Sequence, residues 1–450
     1  MLGVRVDSRA SWNPIETASV DECVRLENAA LVSQMEYLYQ NSTFYKEKLD
    51  AAGIDYRDIK EREHLCRVPF TEKTELRSSL NHTPPLGDHM AAQLDDVIQV
   101  QATSGTTGTP SYIGLTRTDC DVWNELGARA FFSAGLRPND AVLHAWSMSK
   151  GFTGGIPVVS MLQYLGCRVL PIGAEAGSDR ILTVLKSQVA SALCAAPNLA
   201  IHIAEQSDGV LGHPARDLAV QHLVVGGEPG GGIPAVRQRI ESLWDASSCE
   251  VLGNSDIATL VWAECHLRSG MHFIGHGLVL VELIDPVTEE VVEPAPGLKA
   301  EIVYTAISRQ ASPLLRFRSR DHIEVLGTSC ECGRTSYKLR CFGRTDDMLI
   351  VRGVNVWPTA VQEVISSFQP GTSGSFRIIA DFEGHATNDP LRMQVEVGAD
   401  IGPSETIAIK DQIARRIREM LVFQPNIEMV RSGTLPKPGS AKVSLIERPG

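Results

Sequence analysis

The sequence predicts an α/β protein: a large N-terminal α/β domain with a β-rich subdomain, then a small α+β C-terminal domain. Three observations carry this. Between residues 97 and 252, short apolar runs alternate with helical periodicity, the pattern of a parallel sheet with crossover helices. From Gly277 the helices stop, and strand-like runs follow one another across Gly and Pro turns. Beyond the polar break Gly343-Arg344-Thr345-Asp346-Asp347, strands and helices mix again over about a hundred residues, an ordinary domain size. The expected division is therefore 1–343 and 344–450.

Taken in order, Ser19 to Ala52 reads as helix, because Val24, Leu26, Leu31, Met35, Leu38 and Tyr39 recur at near-helical spacing. Phe44-Tyr45 and a break at Gly53 follow. Pro69 to Leu76 offers a helix start, with Thr71 as the expected N-cap and Glu72 to Glu75 supplying acidic charge in the first turn. Asp96-Val97-Ile98-Gln99-Val100 reads as a strand. The expected helices after it are Trp123 to Ala134, Ile156 to Leu165, Ser178 to Leu185, Leu199 to Gln206 and Ile233 to Trp244. The expected strands between them are Ala141 to Trp146, Arg168 to Pro171, Ala192 to Ala195, Leu223 to Val225 and Cys249 to Leu252. In the β-rich stretch they are Leu278 to Ile284, Ala300 to Thr305 and His322 to Leu326. The last hundred residues read as strand Met348 to Val351, helix Pro358 to Phe368, strands Phe376 to Phe382 and Met393 to Val397, and the amphipathic helix Glu405 to Leu421.

Composition narrows the function. A formal charge of −12 argues against a general nucleic-acid or anionic-membrane surface. No apolar run approaches the ~18 residues of a membrane span. Met1 to Pro14 has no basic stretch followed by an apolar one, so it does not read as a secretory signal, and the cytoplasm is the expected location. The ten cysteines then read as buried thiols or metal ligands, not as disulfides.

Four loops carry the chemistry, each placed just after a strand, where ligands sit in open parallel sheets. Thr103-Ser104-Gly105-Thr106-Thr107-Gly108-Thr109-Pro110 combines hydroxyls with glycines that let backbone N–H groups converge on an anion, and phosphate is the natural guest. It is not a Walker A loop, because no Gly-Lys-Ser/Thr closes it. The others are Gly226-Gly227-Glu228-Pro229, Gly253-Asn254-Ser255-Asp256 and Arg316-Phe317-Arg318-Ser319-Arg320-Asp321. Singly, each is also what an ordinary turn or helix cap looks like.

Together and in this order, they resemble the ANL superfamily of adenylate-forming enzymes, and within it the phenylacetate–CoA ligase family. Val68-Pro69-Phe70-Thr71-Glu72-Lys73, Gly151-Phe152-Thr153-Gly154-Gly155 and the run from Gly343 to Pro358 extend the resemblance over nearly the whole chain. It implies two steps: a carboxylate attacks the α-phosphate of MgATP to give an acyl-adenylate, and a thiol then displaces AMP. Carried over, Thr103, Ser104, Gly105, Thr106, Thr107 and Gly108 hold the β- and γ-phosphates. Gly227, Glu228 and Pro229 lie along the adenine. Asn254, Ser255 and Asp256 stand where the family has Leu-Ser-Glu, and Asp256 helps hold Mg²⁺. Asp321 binds the ribose hydroxyls, Arg344 lies near ribose and phosphate, and Asp346 is the hinge of a mobile C-terminal domain. Leu435 to Val443 resembles the family's last motif and makes Lys442 the catalytic lysine, its ammonium placed where negative charge builds up. Ala441 replaces the usual glycine there, and Lys437 is a nearby competitor.

The acid is expected to meet Trp146, Met148, Lys150, Phe152, Thr153, Gly154, Leu252, Asn254 and Ile257, a mostly apolar set that suits a flat ring. Ser147-Met148-Ser149-Lys150 replaces the family's Tyr-Gly-Leu/Tyr, and Leu252 its usual aromatic. A benzoate, aminobenzoate, hydroxybenzoate or phenylacetate is the expected substrate. The thiol is coenzyme A, or alternatively the phosphopantetheine arm of a carrier protein. A non-catalytic nucleotide-binding protein is the reading from another class, and retention of Lys442, Asp321 and Arg344 argues against it. Cys265, His272, Cys330 and Cys332 form a candidate closed, structural Zn²⁺ site, with His266 as an alternative to His272. The oligomeric state stays open, a homodimer included.

Overall fold

The computed structural model describes residues 11–103, 111–149, 151–228, 230–436 and 444–448, and no helix among them is long and apolar enough to cross a membrane. The first helical stretch is two helices, α1 (Val20–Asn41) and α2 (Thr43–Ala51). Ser42 separates them, and its hydroxyl accepts the Tyr45 N–H at the start of α2. In α3 (Lys73–His82) the cap is Glu72, not Thr71, with Glu72 and Glu75 exchanging capping-box bonds. Thr71 is drawn away because its hydroxyl donates to Leu315 O at 2.7 Å and its backbone bridges to Phe317.

Asp96 closes a 3-10 turn, Leu94–Asp96, so the strand expected from Asp96 starts only at Gln99. That strand, β1 (Gln99–Ala102), pairs antiparallel with β2 (Tyr112–Leu115) on either side of residues 104–110. Thr116 caps α4 (Arg117–Ser133), which therefore begins six residues before the apolar run. The alternating stretch follows as β3 (Ala141–His144), α5 (Ile156–Leu165), β4 (Arg168–Pro171), α6 (Gly177–Ser187), β5 (Ala192–Ala195), α7 (Pro197–Leu211), β6 (His222–Val225), α8 (Pro234–Trp244) and β7 (Ser247–Asn254). Then come β8 (Ala258–Glu264), β9 (Met271–Phe273), β10 (Val279–Ile284), β11 (Lys299–Ala306), β12 (Phe317–Gly327) and β13 (Lys338–Arg344). Gly343 and Arg344 therefore end a strand and do not belong to a loose polar break.

These strands form one eleven-stranded sheet in the order β10-β11-β12-β13-β9-β8-β7-β6-β5-β3-β4. β3 to β7 pair parallel, and β7 pairs antiparallel with β8, so the β-rich part continues the parallel part through β7. Val142 and Val224 pack on one face of the sheet, Leu143, Leu193 and Leu223 on the other. With both faces covered, the parallel strands read as continuous apolar runs.

The rest of the chain has its own core, including Leu349, Val361, Ile378 and Ile413. It contains β14 (Leu349–Val351), β15 (Val354–Val356), α9 (Pro358–Ser366), β16 (Thr372–Ile379), β17 (Ala386–Thr387), β18 (Leu391–Val397), α10 (Pro403–Leu421), β19 (Pro425–Val430) and β20 (Ile446–Glu447). It rests on the large sheet and on α8. Arg239 Nη1 on α8 donates to Ser373 O at 2.7 Å. The Trp357 ring lies 5.1 Å from Phe342 and 5.5 Å from His322, over Gly343. Gly343 has φ 155°, and a side chain there would run into the Trp357 ring.

Candidate active site

The base of the Thr/Gly loop is closed by Thr103. Its N–H donates to Ser111 O at 2.9 Å, and its hydroxyl accepts the Ser111 N–H at 3.1 Å. Ser104, Gly105, Thr106, Thr107 and Gly108 lie outside the described residues. The Phe-Thr-Gly-Gly segment is stitched alongside: Ala102 N–H donates to Gly151 O at 2.7 Å, and Phe152 bridges to Ala102. Thr153 then reaches across to the β7–β8 turn. Its hydroxyl meets that of Ser255 at 3.0 Å, and its carbonyl accepts from Thr259 at 3.1 Å. Gly253 is required in that turn, because any side chain would meet the Thr259 carbonyl.

This stitching places the turn residues against the end of β12. Asn254 Oδ1 accepts the Asp256 N–H at 3.0 Å, and Asn254 Nδ2 lies 3.4 Å from Asp321 Oδ2. Asp321 and Arg344 are register partners across β12 and β13, with 3.7 Å between carboxylate and guanidinium. Burial lifts the Asp321 carboxyl above its usual range, against the pull of Arg344 and Asn254. Asp346 sits in the 3-10 turn Thr345–Asp347 that follows β13; its side chain lies outside the described atoms. Lys442 also lies outside the described residues.

No sequence motif assigns a role to two cations near Asp256. Lys73, at the start of α3, places Nζ 2.8 Å from Asp256 Oδ2. The buried Arg309 donates from Nη1 to Asp256 O at 2.8 Å and Ile257 O at 2.6 Å, with its guanidinium over the Trp123 ring. Neither contact follows from spacing, since the partners are 183 and about 50 residues apart.

On the nucleotide side, Glu228 accepts the Asn198 N–H at 3.0 Å, Trp146 Nε1 donates to Gly226 O at 3.1 Å, and Gly227 takes φ 85°. Pro229 lies outside the described residues. Glu250 on β7 is half-buried against Gly231 and Gly232, and desolvation, with Glu264 beside it, pushes its carboxyl up to about 7.

Of the expected acid-binding residues, Trp146, Met148, Phe152 and Leu252 are half-buried and Gly154 is nearby. Ile257 is 2% exposed and packs into the main core. Lys150 lies outside the described residues. Glu175 is a further residue the sequence did not single out. Its carboxylate accepts from both Ser147 and Ser149.

Cys265, His272, Cys330 and Cys332 converge, with their ligand atoms all within 4.8 Å of one another. Cys265 Sγ lies 3.9 Å from Cys330 Sγ, and Cys332 Sγ lies 3.5 Å from His272 Nε2. A tetrahedral zinc with its usual bond lengths needs edges of about 3.8 Å between sulfurs and about 3.6 Å between sulfur and nitrogen. Hydrogen bonds from Cys265 and His272 hold the Cys332 thiol far below its ordinary value. The other ring nitrogen, His272 Nδ1, faces Ser336 O at 3.4 Å and so leaves Nε2 toward the thiols. The donor set fits a metal, and His272, not His266, is the imidazole it contains.

Residues 353–447 match the family model described as AMP-binding enzyme C-terminal domain. The chain is 30% identical over 449 residues to a phenylacetate–coenzyme A ligase of Thermus thermophilus, covering 96% of this chain and 98% of that one. It resembles a crystal structure of 2-hydroxyisobutyryl-CoA ligase in the postadenylation state with an acyl-AMP, at TM-score 0.91, 26% identity, and coverage of 99% and 94%. The same ligase in the thioesterification state, bound to 2-HIB-AMP and CoA, matches at TM-score 0.73, 27% identity, and the same coverage.

Proposed function

The chain belongs to the phenylacetate–coenzyme A ligase family of AMP-forming acid–thiol ligases, and we propose that the acid it activates is aromatic, of the benzoate, aminobenzoate or phenylacetate type. The reaction is ATP-dependent adenylation of a carboxylic acid followed by transfer to coenzyme A. The observation that carries the site assignment is the cluster Asn254, Asp256, Asp321 and Arg344, gathered at one end of the sheet beside the base of the Thr/Gly loop. The aromatic reading rests on family membership and on the half-buried Trp146, Phe152 and Met148, of which Phe152 bridges to Ala102 at the base of the Thr/Gly loop.

In this reading, residues 103–108 hold the terminal phosphates and Gly227, Glu228 and Pro229 flank the adenine. Asp321 accepts from the ribose hydroxyls, and Arg344 both orients Asp321 and faces the phosphates. Lys442 stabilises charge at the α-phosphate. Asp256 would hold Mg²⁺, since one carboxylate with phosphate and water oxygens suits that ion. When bound, the ion neutralises phosphate charge. Lys73 already pairs with Asp256, so binding must loosen that pair. Cys265, His272, Cys330 and Cys332 would hold Zn²⁺ as a structural staple. The reaction is placed in the cytoplasm, where ATP and coenzyme A are available.

ATP–pyrophosphate exchange against aromatic and aliphatic acids, repeated with CoA and AMP detection, tests the reading. Exchange should be fastest with an aromatic acid and should be followed by CoA-dependent AMP release. Faster exchange with an aliphatic acid removes the aromatic assignment. Exchange without CoA turnover points to a carrier-protein acceptor.

The two domains would divide at 343/344 and rotate about Asp346. The better match to the postadenylation than to the thioesterification state of one ligase, at TM-scores of 0.91 and 0.73 and the same coverage, supports a rearrangement between states. Asp346→Pro should leave single-turnover adenylation nearly intact and slow CoA-ester formation about tenfold or more, since proline locks a φ that a hinge must change. Normal overall turnover would move the hinge elsewhere.

A further inference from the structure

Ser147 and Ser149 look like ready hydrogen-bonding groups for a substituted acid, because they flank Met148 in the segment between Trp146 and Phe152. Neither hydroxyl is available. Both donate to Glu175, Ser149 at 2.8 Å and Ser147 in a shorter contact. Glu175 also accepts the N–H groups of Met148 at 3.2 Å and Ser149 at 3.3 Å. A carboxylate has about four lone-pair sites, and this one has four donors from one segment. Burial works to raise its pKa, but the bonds from Ser147 and Ser149 outweigh that and hold it at about 2, so it stays ionised and an acceptor only.

The position of Glu175 follows from the fold. It lies in the 3-10 turn Ala174–Ala176 between β4 and α6. Gly173 before it has φ 75° and donates its N–H to His144 O at 3.0 Å, which ties the turn to the end of β3. The Met148 side chain lies over Gly173, where any Cβ would meet Met148 Cγ at 2.8 Å and Glu175 Oε2 at 2.7 Å. The turn is thus a backing plate for the 147–149 segment.

We propose that Glu175 is a specificity-determining residue: it turns the Ser147 and Ser149 hydroxyls away from the acid, so that neither serine is a free hydrogen-bonding group on this wall of the acyl pocket. The inference rests on the assignment of residues 146–152 to the acyl pocket. It names the substrate more narrowly: an acid whose group facing this wall is apolar, with ring hydroxyl or amino substituents disfavoured there. An unpaired substituent would lose its water on binding and gain no partner.

The test compares kcat/KM of wild type, Glu175→Ala, Glu175→Gln and Met148→Ala on matched pairs of acids. The pairs are benzoate with hydroxy- and aminobenzoates, and an aliphatic acid with its hydroxylated counterpart, so that a pair exists whichever class is accepted. Freed hydroxyls in Glu175→Ala should raise the substituted-to-unsubstituted ratio about fivefold or more, with the KM for ATP unchanged within about twofold. Glu175→Gln keeps one acceptor oxygen and should shift the ratio less. A thermal melt establishes that each variant is folded. If Met148→Ala changes acid selectivity while Glu175→Ala leaves the ratio within about twofold of wild type, the inference is overturned and the pocket assignment survives. If neither variant changes any acid's KM, both are overturned.

Discussion

Lys442→Ala is expected to reduce acyl-adenylate formation about a thousandfold while ATP still binds. The reason is differential: the ammonium would meet the attacking carboxylate and the α-phosphate, where charge accumulates only as the bond forms, so its loss acts on the transition state more than on the ground state. The chain on both sides of Lys442 is anchored. Leu435 is buried and donates its N–H to Glu396 Oε2 at 3.1 Å. Ile446 and Glu447 pair with β16 as β20. Leu435 on one side and Ile446 and Glu447 on the other are thus held to the C-terminal sheet. ATP–pyrophosphate exchange measures the loss, and equilibrium titration with ATP shows that the nucleotide site persists. Lys437→Ala in the same motif is the control and should lose less than about threefold, since only Lys442 is assigned to the charge that builds up in the transition state. If the two variants exchange behaviour, Lys437 takes the role. If neither matters, the C-terminal motif is not catalytic.

Cys332→Ser should have the largest effect on stability. Purified wild type should contain about one zinc per chain, and the variant should lose most of it. The cluster joins the 330–332 loop to Cys265 and to His272 on β9, so the loss should cost on the order of 4 kcal/mol or more and lower the melting temperature by several degrees. Chelator should do the same to wild type. Cys120→Ser, outside the cluster, should change neither zinc content nor melting temperature appreciably. Zinc-free wild type with a chelator-insensitive melt would reduce the four residues to a buried thiol–imidazole cluster.

Much of the architecture is legible in the residues alone. Ile156 to Leu165, Arg168 to Pro171 and Ala192 to Ala195 take the bounds their periodicity predicts. Apolar periodicity reports burial directly, but of the four ligand segments only Gly226 to Glu228 follows a strand of the parallel sheet: residues 104–110 lie between β1 and β2 of a separate hairpin, Gly253 and Asn254 end β7, and Phe317 to Asp321 lie within β12. The misread places have local causes. Ser42 interrupts a helix because its hydroxyl competes for the next helix's first N–H groups. Thr71 is taken from its cap by a strand 246 positions away, at Phe317. Strands β9 and β13 escape notice because β9 is three residues long and wholly buried and β13 shows no sustained alternation over its seven.

By itself, the sequence determined the fold class, the order of the ligand loops and the family, because these depend on residue types at short spacing. The tertiary structure alone decided which charges meet. Lys73 reaches Asp256, Arg309 props the carbonyls behind it, and Glu175 takes the two serines of the acid-pocket segment. Each pair joins segments far apart in the chain, and a single carboxylate or guanidinium has no periodicity by which its partner could be read. Such contacts exist only once the sheet has brought its strand ends together.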